Sequence, residues 1–358
     1  MPCSSGQRPA SRALLAARAA ASRPARRRAA LLPRASVAAG GLRQAVSVDL
    51  EGGPLPLNTH GTGKGGQPPF TGRVLAVERL GGRDKERDVT HIVIDTGGVA
   101  YREGQSFGVI PPGTKVNSRG VEVPQHVRLY SIASGRYGDA GDGQTCTLCV
   151  VRVIYPDPVT GAEVRGVCSN YLADVKPGDE LTMTGPSGTA LLLVDQPWSK
   201  RIVCVSTGTG IAPFRSFWRR IFYDALPGQP AQPFADGAFF WLLAGFANTD
   251  SVLYGDELAA ARAANPGHMR LDVALSLEQT NAAGGPEYVQ DRIREHADEF
   301  LDLMASDDAI FYFCGLKRMY ASVLEVLESM GRERSPALDV PALIAQLKKS
   351  HRWHVETA

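Results

Sequence analysis

The chain has 358 residues, too many for one compact core and about right for two domains with an extension. Apolar residues make up 44% and charged residues 21%, an ordinary globular composition, and no run approaches the ~18 consecutive apolar residues of a membrane-spanning helix. The net charge of +2 hides an asymmetry: residues 1–45 hold nine Arg and no acid, and without them 30 basic residues face 37 acidic ones, a balance of −7 that argues against a nucleic-acid-binding body.

The first 45 residues interleave Arg with Ala, Leu and Ser, the composition of an organelle transit peptide, with cleavage placed between Ser36 and Ala45. Composition alone does not separate chloroplast from mitochondrion. Residues 46–68 are dense in Gly and Pro and read as a linker. From 69 to 197, short alternating runs ("TGRVLAVERL", "VTHIVIDT", "GQSFGVI", "VRLYSIA", "CTLCVVRVIY", "DELTMTGP") are punctuated by Gly, Pro and Asp, which predicts an antiparallel β-barrel or sandwich, with the barrel as the expectation. "SNYLADV" predicts one short helix capped by Ser169.

From 198 to 358 the texture changes. Compact apolar runs ("RIVCVS", "AFFWLLAGF", "MRLDVALS", "AIFYFCG") alternate with helical stretches ("APFRSFWRRIFYDAL", "VLYGDELAAARAA", "YVQDRIREHADEFLDLM", "KRMYASVLEVLESM"), which predicts a parallel, Rossmann-like α/β domain. The fold class is thus β followed by α/β, with no internal repeat. The six cysteines are scattered and predict no disulfide framework. Cys146 and Cys149 form a C-x-x-C on an alternating strand, so they face opposite ways and read as structural residues, not as a redox or metal pair. No metal site is predicted.

Four stretches carry chemistry. In "STGTGIAPFRSF" a buried strand meets a Gly-rich turn and then Pro213, which suits a first helical turn. Gly208 and Gly210 permit close approach of a ligand, and the helix start can face a pyrophosphate. In "VRLYSIAS", Arg128 and Tyr130 share one strand face, a phosphate grip beside a flat ring, while Ser131 faces the other way. "GVCSNYL" offers a second anion site at a helix start, and "FYFCGLKRMY" places Cys314 and Gly315 at the carboxyl edge of a strand, where open α/β sheets bind ligands. Each stretch alone also fits ordinary structure: a tight turn, an edge strand, a plain cap, a buried Cys.

In this order, and followed by a terminal "WHVE", these stretches resemble the plant-type ferredoxin–NADP reductase family from about Phe70 to the last residue. "YREGQSFGVIPPG", "GRYGD", "TGPSG" and "FANTDSVLYGDE" resemble its root, or heterotrophic plastid, branch. The resemblance implies FAD on the barrel and NADP(H) on the second domain. Arg128, Leu129, Tyr130, Ser131, Val167, Cys168 and Ser169 would hold the flavin and pyrophosphate, and Cys149, Val150 and Tyr155 the adenosine side. Thr209 would approach both cofactors. Gly210, Phe246, Ala247, Ser276, Tyr288, Gln290, Gly315 and Leu316 would line the NADP(H) site. Ser131, Cys314 and Glu356 would surround the point where nicotinamide meets flavin, so the tail would be an active-site wall, its strand fixed by Trp353.

The implied activity is hydride transfer between NADP(H) and FAD coupled to one-electron exchange with ferredoxin, an acidic 2Fe-2S protein, in the plastid stroma. A nucleic-acid partner is not expected, nor a transmembrane segment, and peripheral membrane association through a partner stays open. Lys85, Arg87, Lys115, Arg119, Lys348, Lys349 and Arg352 are candidate docking cations. Four departures stand out. The family's terminal Tyr reads Ala358; its Ser-Arg pair at the 2'-phosphate reads Ser276-Leu277; a basic residue two before the adenine-stacking Tyr288 reads Pro286; and one on the "LCV" strand reads Val151, with Arg152 after it. Each lost cation removes a contact worth roughly 1.5–3 kcal/mol, so weakened preference for NADPH over NADH is expected unless Arg270, Arg292 or Arg294 substitutes. The alternative is a family member with relaxed NADH/NADPH selectivity and another electron acceptor. A flavoprotein scaffold without turnover is a third reading, opposed by the intact Ser131, Cys314 and Glu356.

Overall fold

The computed structural model describes residues 53–63, 66–81, 88–223 and 232–358. The transit peptide, the start of the linker, Lys85 and Arg87 lie outside the described residues. Eleven elements come first: β1 (Phe70–Leu80), β2 (Val89–Asp95), β3 (Ser106–Ile110), β4 (Thr114–Val116), β5 (Glu122–Pro124), β6 (Arg128–Ser131), β7 (Thr145–Val151), β8 (Ile154–Pro156), β9 (Glu163–Arg165), α1 (Val167–Asp174) and β10 (Glu180–Ser187). Six of them form an antiparallel sheet in the order β6-β3-β10-β1-β2-β7. The sheet closes on itself, because Ile132 bridges Leu148 and the Ala133 N–H donates to the Thr147 carbonyl at 2.8 Å. It is therefore a barrel, filled by Ile92, Ile94, Phe107, Leu148, Leu181 and Met183, and closure leaves few open edges.

The second sheet is parallel, in the order β13-β12-β11-β14-β15. It comprises β11 (Arg201–Thr207), β12 (Phe239–Phe246), β13 (Met269–Leu275), β14 (Ala309–Gly315) and β15 (Trp353–Thr357), interleaved with α2 (Ala212–Trp218), α3 (Gly255–Ala264), α4 (Val289–Glu295), α5 (Ala297–Ala305), α6 (Lys317–Arg334) and α7 (Val340–Lys349). Alternate residues of its inner strands feed two different cores. On β14, Phe311 and Phe313 meet α4 to α7, whereas Ile310, Tyr312 and Cys314 meet the side of α2 and α3. Both faces are buried, which explains the unbroken apolar runs.

Three expectations need correction. The stretch expected as one helix from Tyr288 to Met304 is two helices, α4 and α5, broken at His296, whose backbone leaves the helical region. The short helix of the barrel begins at Val167 with Gly166 as its cap, so Ser169 sits in the third helical position and is not the cap. α7 was not anticipated; Asp339 caps it through a bond from the Ala342 N–H at 2.9 Å, and Pro341 lies in its first turn. Cys146 lies in the barrel core and Cys149 in the core shared with the second sheet, on opposite faces of β7.

Candidate active site

The Gly-rich turn after β11 is one turn of 3-10 helix, Gly208–Ile211, and α2 starts behind it with Pro213 as its second residue. Gly208 has φ +53, in the left-handed region. A Cβ on Gly210 would stand 2.3 Å from the Cys314 carbonyl oxygen, and one on Gly315 (φ +150) would stand 2.4 Å from Thr207 Oγ1. The two glycines thus let the loops after β11 and β14 interlock. These loops, with the ends of β12 and β13, bound a cavity of about 680 Å³. Thr209, Phe246, Ala247, Ser276, Tyr288, Gln290 and Leu316 all line it, and Leu80, Val89 and Val151 form its barrel wall. Gly210 and Gly315 shape its back without lining it.

The tail is an edge strand, not a fray. In the β14–β15 register Cys314 lies opposite Glu356. Ala358 is tied at both ends: its N–H donates to the Gly315 carbonyl at 3.0 Å, and its carbonyl accepts from the Lys317 N–H at 3.2 Å. Trp353 is buried and its indole donates to the Tyr320 hydroxyl at 2.9 Å. Burial pushes the Cys314 thiol up to about 12, with a further push from Glu356, so it is a neutral thiol at physiological pH. Burial also raises the Glu356 carboxyl above the usual range. Ser131 lies on β6 opposite Ser106 and has no hydrogen bond to Cys314 or Glu356 among the described residues.

On the barrel, Arg128 is exposed and its guanidinium donates only to the carbonyls of His126 and Val127, at 3.3 and 3.2 Å. Tyr130 is half-buried; burial raises its hydroxyl, with a further push from the neighbouring Cys168 thiol on α1. Arg128 acts electrostatically on both Tyr130 and Cys168, so the three are neighbours. A Cβ on Gly166 would stand 2.6 Å from Ser169 Oγ, which itself accepts from the Val153 N–H at 3.3 Å and donates to the Gly166 carbonyl. Leu129, Tyr155 and Val167 are exposed beside this cradle. Cys149 and Val150 are not: their side chains sit in the two cores, and burial raises the Cys149 thiol to about 11 against a lowering influence from the neighbouring Tyr254. Contact between either residue and a ligand would run through backbone atoms.

One buried cluster was missed from the sequence. Arg215 of α2 is fully buried. It donates to Asp139 at 2.9 Å and the Ala133 carbonyl at 2.8 Å on the barrel side, and to Glu257 of α3 at 2.9 Å. Tyr254 covers it at 4.8 Å, and His91 approaches Asp139 at 3.5 Å. Burial pushes the Asp139 carboxyl up, but Arg215, with help from His91 and Arg219, outweighs it and holds the group well below the carboxylate range. The only local hint is a single Arg inside the apolar stretch "APFRSFW".

Residues 204–325 match the family model of the oxidoreductase NAD-binding domain. The chain is 45% identical over 360 residues to the chloroplastic ferredoxin–NADP reductase of Chlamydomonas reinhardtii, covering 99% of this chain and 98% of that one. It is 44% identical to root isozyme 1 of Arabidopsis thaliana over 80% of this chain and 75% of the relative. A solved ferredoxin–NADP+ reductase from Plasmodium falciparum has a TM-score of 0.62 at 25% identity, covering 85% of this chain and 100% of its own. Another structure of that reductase, with 2'P-AMP, also has a TM-score of 0.62, at 23% identity. This chain belongs to the ferredoxin–NADP reductase family.

NADP carries one phosphate more than NAD, so for a ferredoxin–NADP reductase the charge around the cavity matters. Leu277 is 71% exposed and apolar. The three arginines considered as substitutes are all paired elsewhere: Arg270 with Glu299 and stacked on Trp241, Arg292 with Glu287 and Glu295, Arg294 with Glu333. None of the three lines the cavity. Arg152 turns to Asp88 and Asp174, leaving Val151 at the wall. Among the described residues, the cation that does line the cavity is Arg318, which sequence reasoning passed over.

Proposed function

We propose that this chain works in a plastid as an FAD-dependent reductase exchanging electrons between NADP(H) and ferredoxin. The observation that carries the assignment of the reacting centre is the register that sets Cys314 beside Glu356 at the carboxyl edge of the parallel sheet, with the tail tied by Ala358. FAD, when bound, trades a two-electron hydride with NADP(H) for single electrons with ferredoxin. The residues suit that group. Arg128, which faces no carboxylate among the described residues, and the uncapped first turn of α1 would hold the diphosphate. The half-buried Tyr130 ring supplies a flat surface, and the cradle at Gly166 admits close approach of a ligand to backbone.

The barrel, residues 69–197, is then the FAD domain and residues 198–358 the NADP(H) domain. Cys314, a neutral thiol, acts as a wall and not as a nucleophile. The backbone of Glu356 is fixed by strand pairing and the tied tail, which keeps its carboxyl at the sheet edge beside Cys314. Its raised affinity for a proton suits a group that holds one beside the reacting atoms. Ser131 would add a hydroxyl from the barrel side. Docking of an acidic 2Fe-2S ferredoxin would draw on Lys115, Arg119, Lys348 and Lys349. Arg352 is removed from that set, since its guanidinium donates to the carbonyls of Ser306 and Ala309 and is structural. No helix among the described residues is long and apolar enough to cross a membrane. The root-type motifs support the heterotrophic branch.

A second reading, a reductase with relaxed nucleotide choice and another acceptor, is favoured by the apolar Leu277 and by Ala358, whose methyl cannot cover a flavin face. One experiment separates the two. Purified protein should be yellow, bleach anaerobically with NADPH, and reduce cytochrome c far faster with ferredoxin than without. Equal rates with and without ferredoxin favour the second reading, and a colourless protein that takes up no flavin overturns both.

A further inference from the structure

We infer that Arg318, in the first turn of α6, is the cation that holds a phosphate of the bound dinucleotide, in place of a cation on the loop after β13. The inference rests on the reading of the 680 Å³ cavity as the NADP(H) site. Among the described residues that line this cavity, Arg318 is the only Arg or Lys. It is exposed, and no carboxylate among the described residues pairs with it. Arg152, Arg270, Arg292 and Arg294, the described arginines weighed for this role, are each committed to a carboxylate instead.

The surroundings sharpen the case. Arg318 and Ser322 stand one helical turn apart, on one face of α6, and both line the cavity, so a hydroxyl accompanies the guanidinium. Ser276, just past the end of β13, and Gln290 of α4 line the same cavity. The cavity's other charged residues are acids, Asp250 and Glu287. Glu287 is buried and lies 3.5 Å from Arg292, which partly offsets its charge. Without Arg318 an incoming phosphate would meet two carboxylates and only neutral donors among the described lining residues. A guanidinium offers a planar pair of donors that matches phosphate oxygens, and on a flexible, unpaired side chain it reaches them without breaking an existing bond.

The phosphate has two sources, the 2'-phosphate that only NADP(H) carries and the pyrophosphate it shares with NADH. The test uses the full chain with FAD bound and the variant Arg318→Gln. Calorimetric titration with 2'-phospho-AMP and with ADP separates the sources, and KM values for NADPH and NADH with a dye acceptor check them. Weakening of about tenfold or more for 2'-phospho-AMP and NADPH alone assigns Arg318 to the 2'-phosphate. Equal weakening for both ligands assigns it to the pyrophosphate. Arg318→Lys, which keeps the charge and loses the fork, should fall between. Unchanged affinity for both ligands in Arg318→Gln, at an unchanged melting temperature, overturns the inference. If the unmodified protein binds neither nucleotide, the reading of the cavity fails, which is a different result.

Discussion

Arg215 and Arg318 stand on elements that follow neighbouring strands of the same sheet, and the molecule uses them in opposite ways. Arg215 is fully buried, with Asp139 on one side, Glu257 on the other and an aromatic ring over its face. Arg318 is exposed at the rim of a cavity and has no carboxylate partner among the described residues. A buried charge must be matched within the fold, because desolvation leaves it nothing else. A charge meant for a ligand must be left unmatched, because an internal carboxylate would compete with the ligand. The contrast explains why α2 ties barrel to parallel sheet while α6 serves the cleft between them.

The largest effect should come from breaking the seam. Arg215→Met leaves Asp139 and Glu257 without their shared cation and should remove about 3–5 kcal/mol of stability, read as a lower melting temperature and denaturant midpoint. Asp139 binds its proton less readily in the folded state than in the unfolded one. Its contribution is therefore present above the unfolded value and is lost as pH falls through the folded one, so the unmodified protein should lose stability in acid faster than the variant does. If Arg215→Met melts like the unmodified protein, the seam is not what joins the two regions.

Arg128 belongs with Arg318 in this contrast, an exposed cation that among the described residues bonds only to the carbonyls of His126 and Val127, just before its strand. Arg128→Ala should weaken FAD retention by roughly 1.5–3 kcal/mol, seen as loss of yellow colour on gel filtration. Excess FAD should restore the melting temperature by mass action. A variant that keeps flavin as tightly as the unmodified protein would remove Arg128 from the diphosphate site. A smaller change is expected from Leu277→Arg, which restores a cation where the chain has an exposed apolar side chain. The kcat/KM ratio of NADPH to NADH should rise about tenfold. No change would mean that the loop after β13 does not reach the phosphate.

The sequence made the inner strands legible, because "RIVCVS" and "AIFYFCG" bury both faces and leave no other reading. The family resemblance implied that "WHVE" lies near Cys314, and β15 pairs with β14 so that Glu356 lies opposite Cys314. Local pattern could not show the break at His296, since the apolar period continues across it. It could not show Arg215's role, because Asp139 and Glu257 lie 76 and 42 residues away in the chain. Arg318 escaped for the same reason: which arginines are already paired is a tertiary fact, and Arg270, Arg292 and Arg294 look equally available in one dimension.

The smallest effect sharpens the contrast most, because it concerns a charge that is half-buried yet unmatched. Glu356 sits opposite Cys314, a thiol kept neutral by burial, and no cation among the described residues pairs with its carboxylate. Its folded affinity for a proton is raised, so the folded state is penalised above the folded value, where the group is ionised in both states. That penalty disappears as pH falls and the carboxyl is neutral in both. Glu356→Gln should therefore be slightly more stable than the unmodified protein at pH 8, by less than about 1 kcal/mol given its partial exposure, and indistinguishable at pH 4. Single-turnover reduction by NADPH should nonetheless slow by about tenfold or more, as expected when a positioned group is removed from reacting atoms. A fold that tolerates a destabilising acid at this place has a use for it other than cohesion. A glutamine variant that is less stable at pH 8 would instead make Glu356 a structural partner, akin to Asp139, and would move it to the other side of the comparison.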